Sequence, residues 1–261
     1  MTTNHLILDF SHVYCDEKIP KNDKVHWMDC SDITECDLYC SKRAEEIRAR
    51  IAPYGIHGIH FWDSGNYHYV TGIMTTLIKQ KISLILLDHH TDMQKPMIEQ
   101  MTSCGDWAGK VLKTNPWLQQ LILIGPQESD ILQIYREKEG LVSGAELQEK
   151  LITFSEEEIQ SVKDENKISG IKRNLPVYIS IDKDILDEEY SETNWSQGKM
   201  PLPVLERLLM PFLTSGNILG IDICGECQQG IPLPQYLEAE KINGETNKEL
   251  FDFLMHYCRN F

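Results

Sequence analysis

A short, almost wholly apolar run, Ile82–Leu87, narrows the range of possible folds most strongly, because it is typical of a parallel strand covered on both faces. The run ends in Asp88, His90 and Asp92. Side chains two residues apart point the same way along an extended chain, so these three groups can converge. We expect them at the carboxyl edge of a sheet, where open α/β folds bind ligands.

A second strand-like run carries carboxylates in the same way. The apolar residues Val177–Ile181 lead into Asp182 and Asp184, which again lie two apart. Carboxylate and imidazole groups are both common metal ligands. Two such strand ends in one chain therefore predict a metal cluster.

Strand-like and helix-like segments alternate along the chain, which favours a parallel sheet with helices on both faces. We predict one α/β domain over residues 1–261, with three α/β/α layers and a mostly parallel central sheet. The predicted strands are Leu6–Asp9, Gly58–Trp62, Ile82–Leu87, Leu121–Ile124, Lys150–Phe154, Val177–Ile181 and Ile218–Ile223. The predicted helices are Ser41–Ile51, Tyr67–Lys79, Asp106–Leu112, Glu156–Asn166, Val204–Leu213 and Thr246–Cys258.

Composition narrows the range of partners. The net charge of −15 at pH 7 argues against nucleic acid as a partner, because the phosphate backbone is bound by cationic surfaces. No apolar run approaches the ~20 residues needed to cross a bilayer, so we expect no membrane span. The first ten residues lack the basic region and long apolar core of a secretory signal, and we expect a cytoplasmic protein.

The eight cysteines are expected to be reduced thiols, as is usual in a large cytoplasmic domain. Cys30, Cys36 and Cys40 could combine with Cys224 and Cys227 in a structural zinc site, although the spacings match no strong zinc pattern. The Cys224 and Cys227 pair could also form a redox motif. It follows a predicted strand, however, whereas a thioredoxin-like pair is expected at the start of a helix. Neither interpretation is favoured.

Three segments that follow predicted strands resemble, in their order, the signature of the ureohydrolases (arginase, agmatinase and formiminoglutamase), a family of binuclear manganese hydrolases. That family carries a Gly-x-x-His, an Asp-x-His-x-Asp and a Ser-x-Asp-x-Asp-x-x-Asp segment. The matching residues are Gly65 and His68, then Asp88, His90 and Asp92, then Ser180, Asp182, Asp184 and Asp187. The resemblance covers the chain from about Gly58 to Glu226 and implies an arginase-like fold.

The resemblance also implies a site for two divalent metal ions, with Mn²⁺ as the expected metal. One ion would be bound by His68, Asp88, Asp92 and Asp182. The other would be bound by His90, Asp88, Asp182 and Asp184, so that Asp88 and Asp182 bridge the pair. Four carboxylates balance the charge of two such cations, and hard oxygen ligands suit Mn²⁺, although affinity alone does not exclude Zn²⁺, Co²⁺ or Fe²⁺.

The activity that the resemblance implies is hydrolysis of a C–N bond in a linear guanidino, amidino or related amide compound. Hydroxide bound by both metals would attack the trigonal carbon, because two metals lower the pKa of a shared water. Asp92 would hold that hydroxide and pass its proton to the leaving amine. The substrate is expected to be a small molecule, with a cationic guanidino or amidino compound favoured, and family members commonly form homo-oligomers.

Two segments depart from the pattern of enzymes that act on guanidinium compounds. Those enzymes place a glutamate in an Asp-x-x-Glu setting, whereas here Glu226 lies one residue further from Asp222. Glu226 is kept as a candidate catalytic residue of the pocket, with a solvent-facing glutamate as the alternative. A substrate-side histidine after Asp92 is also missing, and Trp107 lies at or beside that position. The chain therefore resembles a divergent member rather than arginase itself.

Two other functions stay open at this stage. The string Asp88-His89-His90 is similar to the signature of the DHH manganese phosphoesterases, but no upstream Asp-x-Asp motif accompanies it. Alternatively, the altered segments could mark an arginase-fold protein that binds a ligand without catalysis. His89 has the opposite strand phase and is interpreted as structural.

Two long polar segments are expected to frame a site or an interface, as loops of that length usually do. They are Asp16–Tyr39 and Glu188–Pro203. Within the second, Trp195, Gln197 and Met200 could form one wall of a pocket.

Overall fold

The structure is a computed structural model. It describes residues 3–14, 19, 24–40, 43–136, 144–161, 170–215, 217–227 and 229–258. Cys15 and residues 41–42 and 162–166 of two predicted helices lie outside this part.

A parallel sheet of eight strands forms the centre of the described chain, in the order β2-β1-β4-β10-β9-β5-β7-β8. Every pair in it is parallel. Its strands are β1 (His5–Asp9), β2 (Val25–Asp29), β4 (Ile59–Phe61), β5 (Ile82–Leu87), β7 (Leu118–Ile124), β8 (Leu151–Phe154), β9 (Val177–Asp182) and β10 (Ile218–Cys224). Two short strands, β3 (Tyr39–Cys40) and β6 (Thr102–Ser103), form a separate antiparallel pair.

Helices cover both faces of the sheet. They are α1 (Ala44–Ile51), α2 (Tyr69–Thr75), α3 (Trp107–Thr114), α4 (Glu128–Arg136), α5 (Gly144–Lys150), α6 (Glu156–Ser161), α7 (Leu202–Leu213) and α8 (Leu233–Tyr257). Residues of α1, α2 and α3 pack in one core cluster, and residues of α7 and α8 pack in the other. Strand β5 contributes side chains to both core clusters: Leu84 and Leu86 to the first, and Ile85 and Leu87 to the second. The predicted three-layer α/β/α fold with a parallel sheet is confirmed.

The seven predicted strands are all present; Ile82–Leu87 has the predicted bounds, and the bounds of the other strands shift by no more than three residues. A capping box begins α6: the Ser155 backbone N–H donates to Glu158 Oε2, and the Glu158 N–H donates to Ser155 Oγ. Five of the helices and strands were not predicted: the strands β2, β3 and β6 and the helices α4 and α5. Strand β2 lies in the segment interpreted as irregular, and α8 begins 13 residues before the predicted Thr246.

The carboxyl ends of four strands define the functional edge of the sheet. Strand β9 lies between β10 and β5, and β4 lies on the other side of β10. The segments that begin after β4, β5 and β9 carry His68, Asp88 and Asp184, respectively. The topology therefore brings residues more than one hundred positions apart to one place.

Within the described residues, no helix is long and apolar enough to cross a membrane. Each cysteine in that part of the chain is a buried, free thiol.

Two buried histidines, His5 and His60, are held neutral between strands. The Leu6 N–H donates to His60 Nδ1 and the Ile59 N–H donates to His5 Nδ1, which only an unprotonated nitrogen can accept. Burial lowers the pKa of His60 to about 3 and that of His5 to about 4.

The contribution of His60 to stability is expected to fall in acid. Its folded-state pKa lies below the unfolded value near 6.5, so the unfolded chain binds the proton more readily and the contribution is lost as pH falls below 6.5. The test is to measure the free energy of unfolding in urea for wild type and His60→Gln between pH 7 and pH 4. Subtracting one value from the other cancels the contributions of other groups that titrate in the same range. The difference in unfolding free energy between wild type and His60→Gln should decrease by about 1.4 kcal/mol per pH unit below pH 6.5. A constant difference would contradict a neutral His60.

Candidate metal centre

His68 and three aspartates form the deeper half of the site. His68 ends the short 3-10 turn Gly65–Tyr67 and leads into α2, which places its ring below the end of the sheet. Its Nδ1 lies 3.3 Å from Asp88 Oδ2, 3.0 Å from Asp92 Oδ2 and 3.3 Å from Asp182 Oδ2. One imidazole nitrogen therefore faces an oxygen from each of three carboxylates.

His90 and Asp184 form the outer half. His90 Nδ1 lies 2.8 Å from Asp184 Oδ2 and 3.6 Å from Asp88 Oδ1. Asp88 thus presents one oxygen to each histidine, which is the arrangement of a bridging carboxylate. The side chain of His90 is 26% exposed, whereas that of Asp184 is 2% exposed. The structure brings together all six residues that the sequence singled out.

The backbone at Asp92 is held in the left-handed region, with φ of 48°. An aspartate rarely adopts this conformation without support from its surroundings. Here the first turn of α3 supplies that support, because the N–H groups of Ala108 and Gly109 donate to the Asp92 carbonyl. The strained turn directs the Asp92 carboxylate back towards His68.

Two glycines allow the chain to pass close to Asp182. A Cβ on Gly65 would lie 2.8 Å from the Trp195 ring and 3.2 Å from Asp182 Oδ2. A Cβ on Gly225, where φ is +95°, would lie 2.5 Å from Asp182 Oδ1. Any side chain at either position would displace this carboxylate.

Hydrogen bonds behind the site fix the orientation of His68. Its Nε2 lies 2.9 Å from Ser180 Oγ, and Ser180 Oγ donates to Asp222 Oδ1 at 2.6 Å. Thr71 Oγ1 donates to the same Asp222 oxygen. Such a chain from imidazole to carboxylate is the usual support of a metal-binding histidine, because it sets the ring orientation and the tautomer. Sequence reasoning matched Ser180 but missed Thr71 and the part played by Asp222.

The charges of this cluster are balanced only in part by the protein. Burial would lower the pKa of His90, but the hydrogen bonds that its ring donates to Asp184 and Asp88 raise it to about 12. Burial, with repulsion from Asp182 and Asp88, raises the pKa of Asp184 well above its ordinary value. Burial and repulsion from Asp88 raise the pKa of Asp92 to about 7. Carboxylates that repel one another in this way favour the binding of cations between them.

Trp107 lies under the site rather than on its wall. The ring is fully buried, its indole N–H donates to Asp92 Oδ2 at 2.5 Å, and its centroid lies 4.9 Å from that of His68. The hydrogen bond occupies the Asp92 oxygen that also faces His68 Nδ1.

Replacing Trp107 by phenylalanine is expected to remove this donor while keeping most of the packing. Loss of one hydrogen bond to a buried charged acceptor costs about 1.5–3 kcal/mol of unfolding free energy. Metal affinity should fall about 10- to 100-fold, the usual effect of losing a group that orients a metal ligand. Metal binding and urea unfolding should be measured on the same preparation. Unchanged values for both would contradict the assigned role.

A cavity of about 230 Å³ opens over the six side chains. Its outer walls contain an aromatic residue on each of two segments, Tyr39 and Trp195, together with Met97. Apart from the six residues of the site, Lys95 is the charged group that the described chain contributes to the lining. Trp195 contacts the site directly, with its ring centroid 5.9 Å from that of His90. Gln197 and Met200, which the sequence grouped with Trp195, are not among the lining residues.

Glu226 does not line this cavity, and its role as a catalytic residue of the pocket stays a prediction. Its Oε1 accepts hydrogen bonds from Lys183 Nζ at 2.6 Å and from Asn247 Nδ2 at 2.8 Å. Asn247 Oδ1 in turn accepts from the same ammonium. All three side chains are buried. The unusual turn at Gly225 carries the chain past Asp182 and delivers Glu226 to α8 instead of the cavity.

No protein-family model matches the chain. A curated relative, an uncharacterized protein of Thermotoga maritima, is 28% identical over 261 residues. That alignment covers 96% of this chain and 91% of the relative.

Solved structures of similar fold include Helicobacter pylori arginase, with a TM-score of 0.63 and 14% identity over 98% of this chain and 99% of that one. Trypanosoma cruzi formiminoglutamase with Mn²⁺ gives a TM-score of 0.64 and 11% identity over 98% and 94%. The chain has the ureohydrolase fold. Formimidoylglutamase of Bacillus subtilis gives a TM-score of 0.58 and 15% identity over 83% of this chain, which spans 64% of that longer protein. The ureohydrolase resemblance of the three motifs is thus confirmed at the level of the fold.

Proposed function

We propose that this ureohydrolase-fold chain is a metal-dependent hydrolase that cleaves a C–N bond in a small linear amidino, guanidino or related amide compound. The observation that carries the proposal is the convergence of His68 and His90 on four buried carboxylates at the open end of the sheet. Solved proteins of the same fold are named as enzymes acting on such compounds, namely arginase and formiminoglutamase.

The donor set fits two divalent cations. Three carboxylates and two imidazoles form two overlapping groups that share Asp88, and the ligand atoms of each group lie within 4.8 Å of one another. The fourth carboxylate, Asp182, lies with its Oδ2 3.3 Å from His68 Nδ1. Oxygen-rich ligands of this kind suit Mn²⁺, the ion named with the trypanosomal relative. We propose His68, Asp88, Asp92 and Asp182 for one ion and His90, Asp88, Asp182 and Asp184 for the other.

The two ions, when bound, would supply hydroxide at neutral pH. The protein's own residues then account for the remaining requirements. Asp92, which is held by the α3 backbone and by Trp107, would accept a proton from the attacking water and deliver it to the leaving nitrogen.

The cavity favours a substrate with a short apolar or anionic tail. Tyr39, Met97 and Trp195 present apolar surface beside the site, and Lys95 provides a positive charge at the rim. Among the residues that the structure describes, the cavity lining contains no carboxylate apart from the four of the metal site. A compound with an amidino group at one end and a carboxylate at the other would match this distribution of charge better than a dication.

Metal-depleted protein, prepared with a chelator, should be inactive and should regain activity with Mn²⁺. Release of ammonia, urea or formamide from a panel of guanidino and formimino compounds measures this, with acidic and basic tails in matched pairs. The Asp92→Asn variant separates catalysis from binding. An enzyme should lose about 10²-fold or more in turnover while its fold is unchanged. A binding protein without activity would retain its affinity for the ligand in the variant, and absence of metal binding would refute the proposal.

A further inference from the structure

The side chain of Cys224 lies against the deeper half of the site, where neither the sequence motifs nor the fold requires a sulfur atom. Its Sγ donates to Asp182 Oδ2 at 3.2 Å. The same Asp182 oxygen lies 3.3 Å from His68 Nδ1. Cys224 therefore contacts the carboxylate that would bridge two cations.

Strand pairing fixes the position of this thiol. Cys224 ends β10 and is paired in register with Asp182 at the end of β9. Asp222 lies two residues earlier on the same face of the strand and accepts the hydrogen bond from Ser180 that helps to orient His68. Gly225, which follows, brings the chain close to Asp182 without a side chain of its own. The thiol is therefore held at the site by two strands.

The thiol, an imidazole and a carboxylate form a third donor group. The ligand atoms of His68, Asp182 and Cys224 all lie within 4.8 Å of one another, and all three residues are buried. A single nitrogen, a single oxygen and a single sulfur at this separation are suited to thiophilic divalent ions such as Zn²⁺, Co²⁺ and Cd²⁺. The thiol that does line the cavity, Cys104, belongs to none of the donor groups that the described residues form.

We propose that Cys224 is a sulfur ligand of the metal centre and shifts its preference from Mn²⁺ towards thiophilic ions. This inference rests on the metal centre of the proposed function. The thiol proton passes to solvent when sulfur binds the ion. The centre would then differ from an all-oxygen and nitrogen site by one soft donor next to His68.

Cobalt is a suitable probe, because bound Co²⁺ absorbs in the visible and a sulfur ligand adds a charge-transfer band in the near ultraviolet. Metal-free protein titrated with Co²⁺ should show both. In Cys224→Ser the visible band should persist while the near-ultraviolet band is lost. The control variants Cys104→Ser and Cys227→Ser should keep both bands, since Cys104 lines the cavity and Cys227 is a buried thiol outside the donor groups. Competition between Cd²⁺ and Mn²⁺ should show a Cd²⁺ preference that falls about 10-fold or more in Cys224→Ser.

The wild-type spectrum decides the result even if Cys224→Ser folds poorly. A visible cobalt band without a charge-transfer band would overturn the sulfur ligand and leave the proposed function intact. A charge-transfer band that disappears in Cys104→Ser but survives in Cys224→Ser would assign the sulfur elsewhere and also overturn it. Absence of any cobalt binding would refute both the sulfur ligand and the metal centre on which the proposed function depends.

Discussion

Replacing Asp184 by asparagine is expected to abolish metal-dependent turnover and, at the same time, to stabilise the metal-free protein. Asp184 is buried among Asp182 and Asp88, and this burial and repulsion raise its pKa well above the ordinary range. A neutral amide of the same shape removes one charge from the crowded cluster. It can still accept the hydrogen bond that the His89 N–H donates to Asp184 Oδ1.

The expected loss in turnover is about 10³-fold or more, as for a member of an interdependent catalytic group. The expected gain in unfolding free energy of the chelator-treated variant is about 0.5–2 kcal/mol, typical of a substitution that relieves a functional site. Bound metal, turnover and urea unfolding should be measured together. Asp187→Asn is the matched control, because this half-exposed aspartate follows the same loop but belongs to none of the donor groups in the described chain. A destabilised apo Asp184→Asn protein would show that the carboxylate is needed for the fold itself.

Replacing Lys183 by methionine is expected to give the largest loss of stability. The Lys183 ammonium is fully buried and donates to Glu226 and Asn247. Removal of the cation leaves the Glu226 carboxylate charged, buried and without its ion-pair partner. Breaking a buried pair in this way costs about 3–5 kcal/mol. Because Lys183 lies between Asp182 and Asp184, we also expect weaker metal binding.

The exposed pair Lys248 and Asp252 provides a control for the same chemical change. Their side chains are 59% and 55% exposed and lie 2.6 Å apart, so Lys248→Met should cost less than about 1 kcal/mol. Adding Glu226→Met to Lys183→Met should recover part of the loss, since the uncompensated carboxylate is then removed as well. Equal losses at Lys183 and Lys248 would contradict the assigned role of the buried pair.

The site could be predicted from sequence because its residues lie in short motifs with a fixed spacing. Asp88, His90 and Asp92 follow an apolar run that marks the end of a strand, although Asp92 reaches the site through a left-handed turn, with φ of 48°, and not through the phase of an extended chain. The parallel sheet was predictable for a related reason. Strands buried on both faces, such as Ile82–Leu87, are apolar throughout and stand out from the helices between them.

The surroundings of the site could not be predicted in this way. The position of Glu226 depends on a turn at Gly225 and on a buried lysine and asparagine far away in sequence. The contact of Cys224 with Asp182 depends on the register between β9 and β10. The positions of Glu226 and Cys224 both depend on contacts between residues far apart in the chain, which leave no local pattern in the sequence.

The missed elements have local causes. Strand β2 is an edge strand whose residues are half-buried or exposed, so it lacks the apolar run of a central strand. The first half of α8 is mostly exposed and polar. Few apolar residues recur there at helical spacing, so the sequence pattern did not indicate a helix.

The six side chains of the centre span positions 68 to 184 and depend on three separate strand ends. The assembled sheet is needed to present them together, so cation uptake by the proposed centre would be thermodynamically linked to the completion of folding. A cation that binds only the native chain adds about 2.7 kcal/mol to its stability at one hundred times the dissociation constant. Metal supply would then regulate how much of this protein survives in the cell as well as how fast it works.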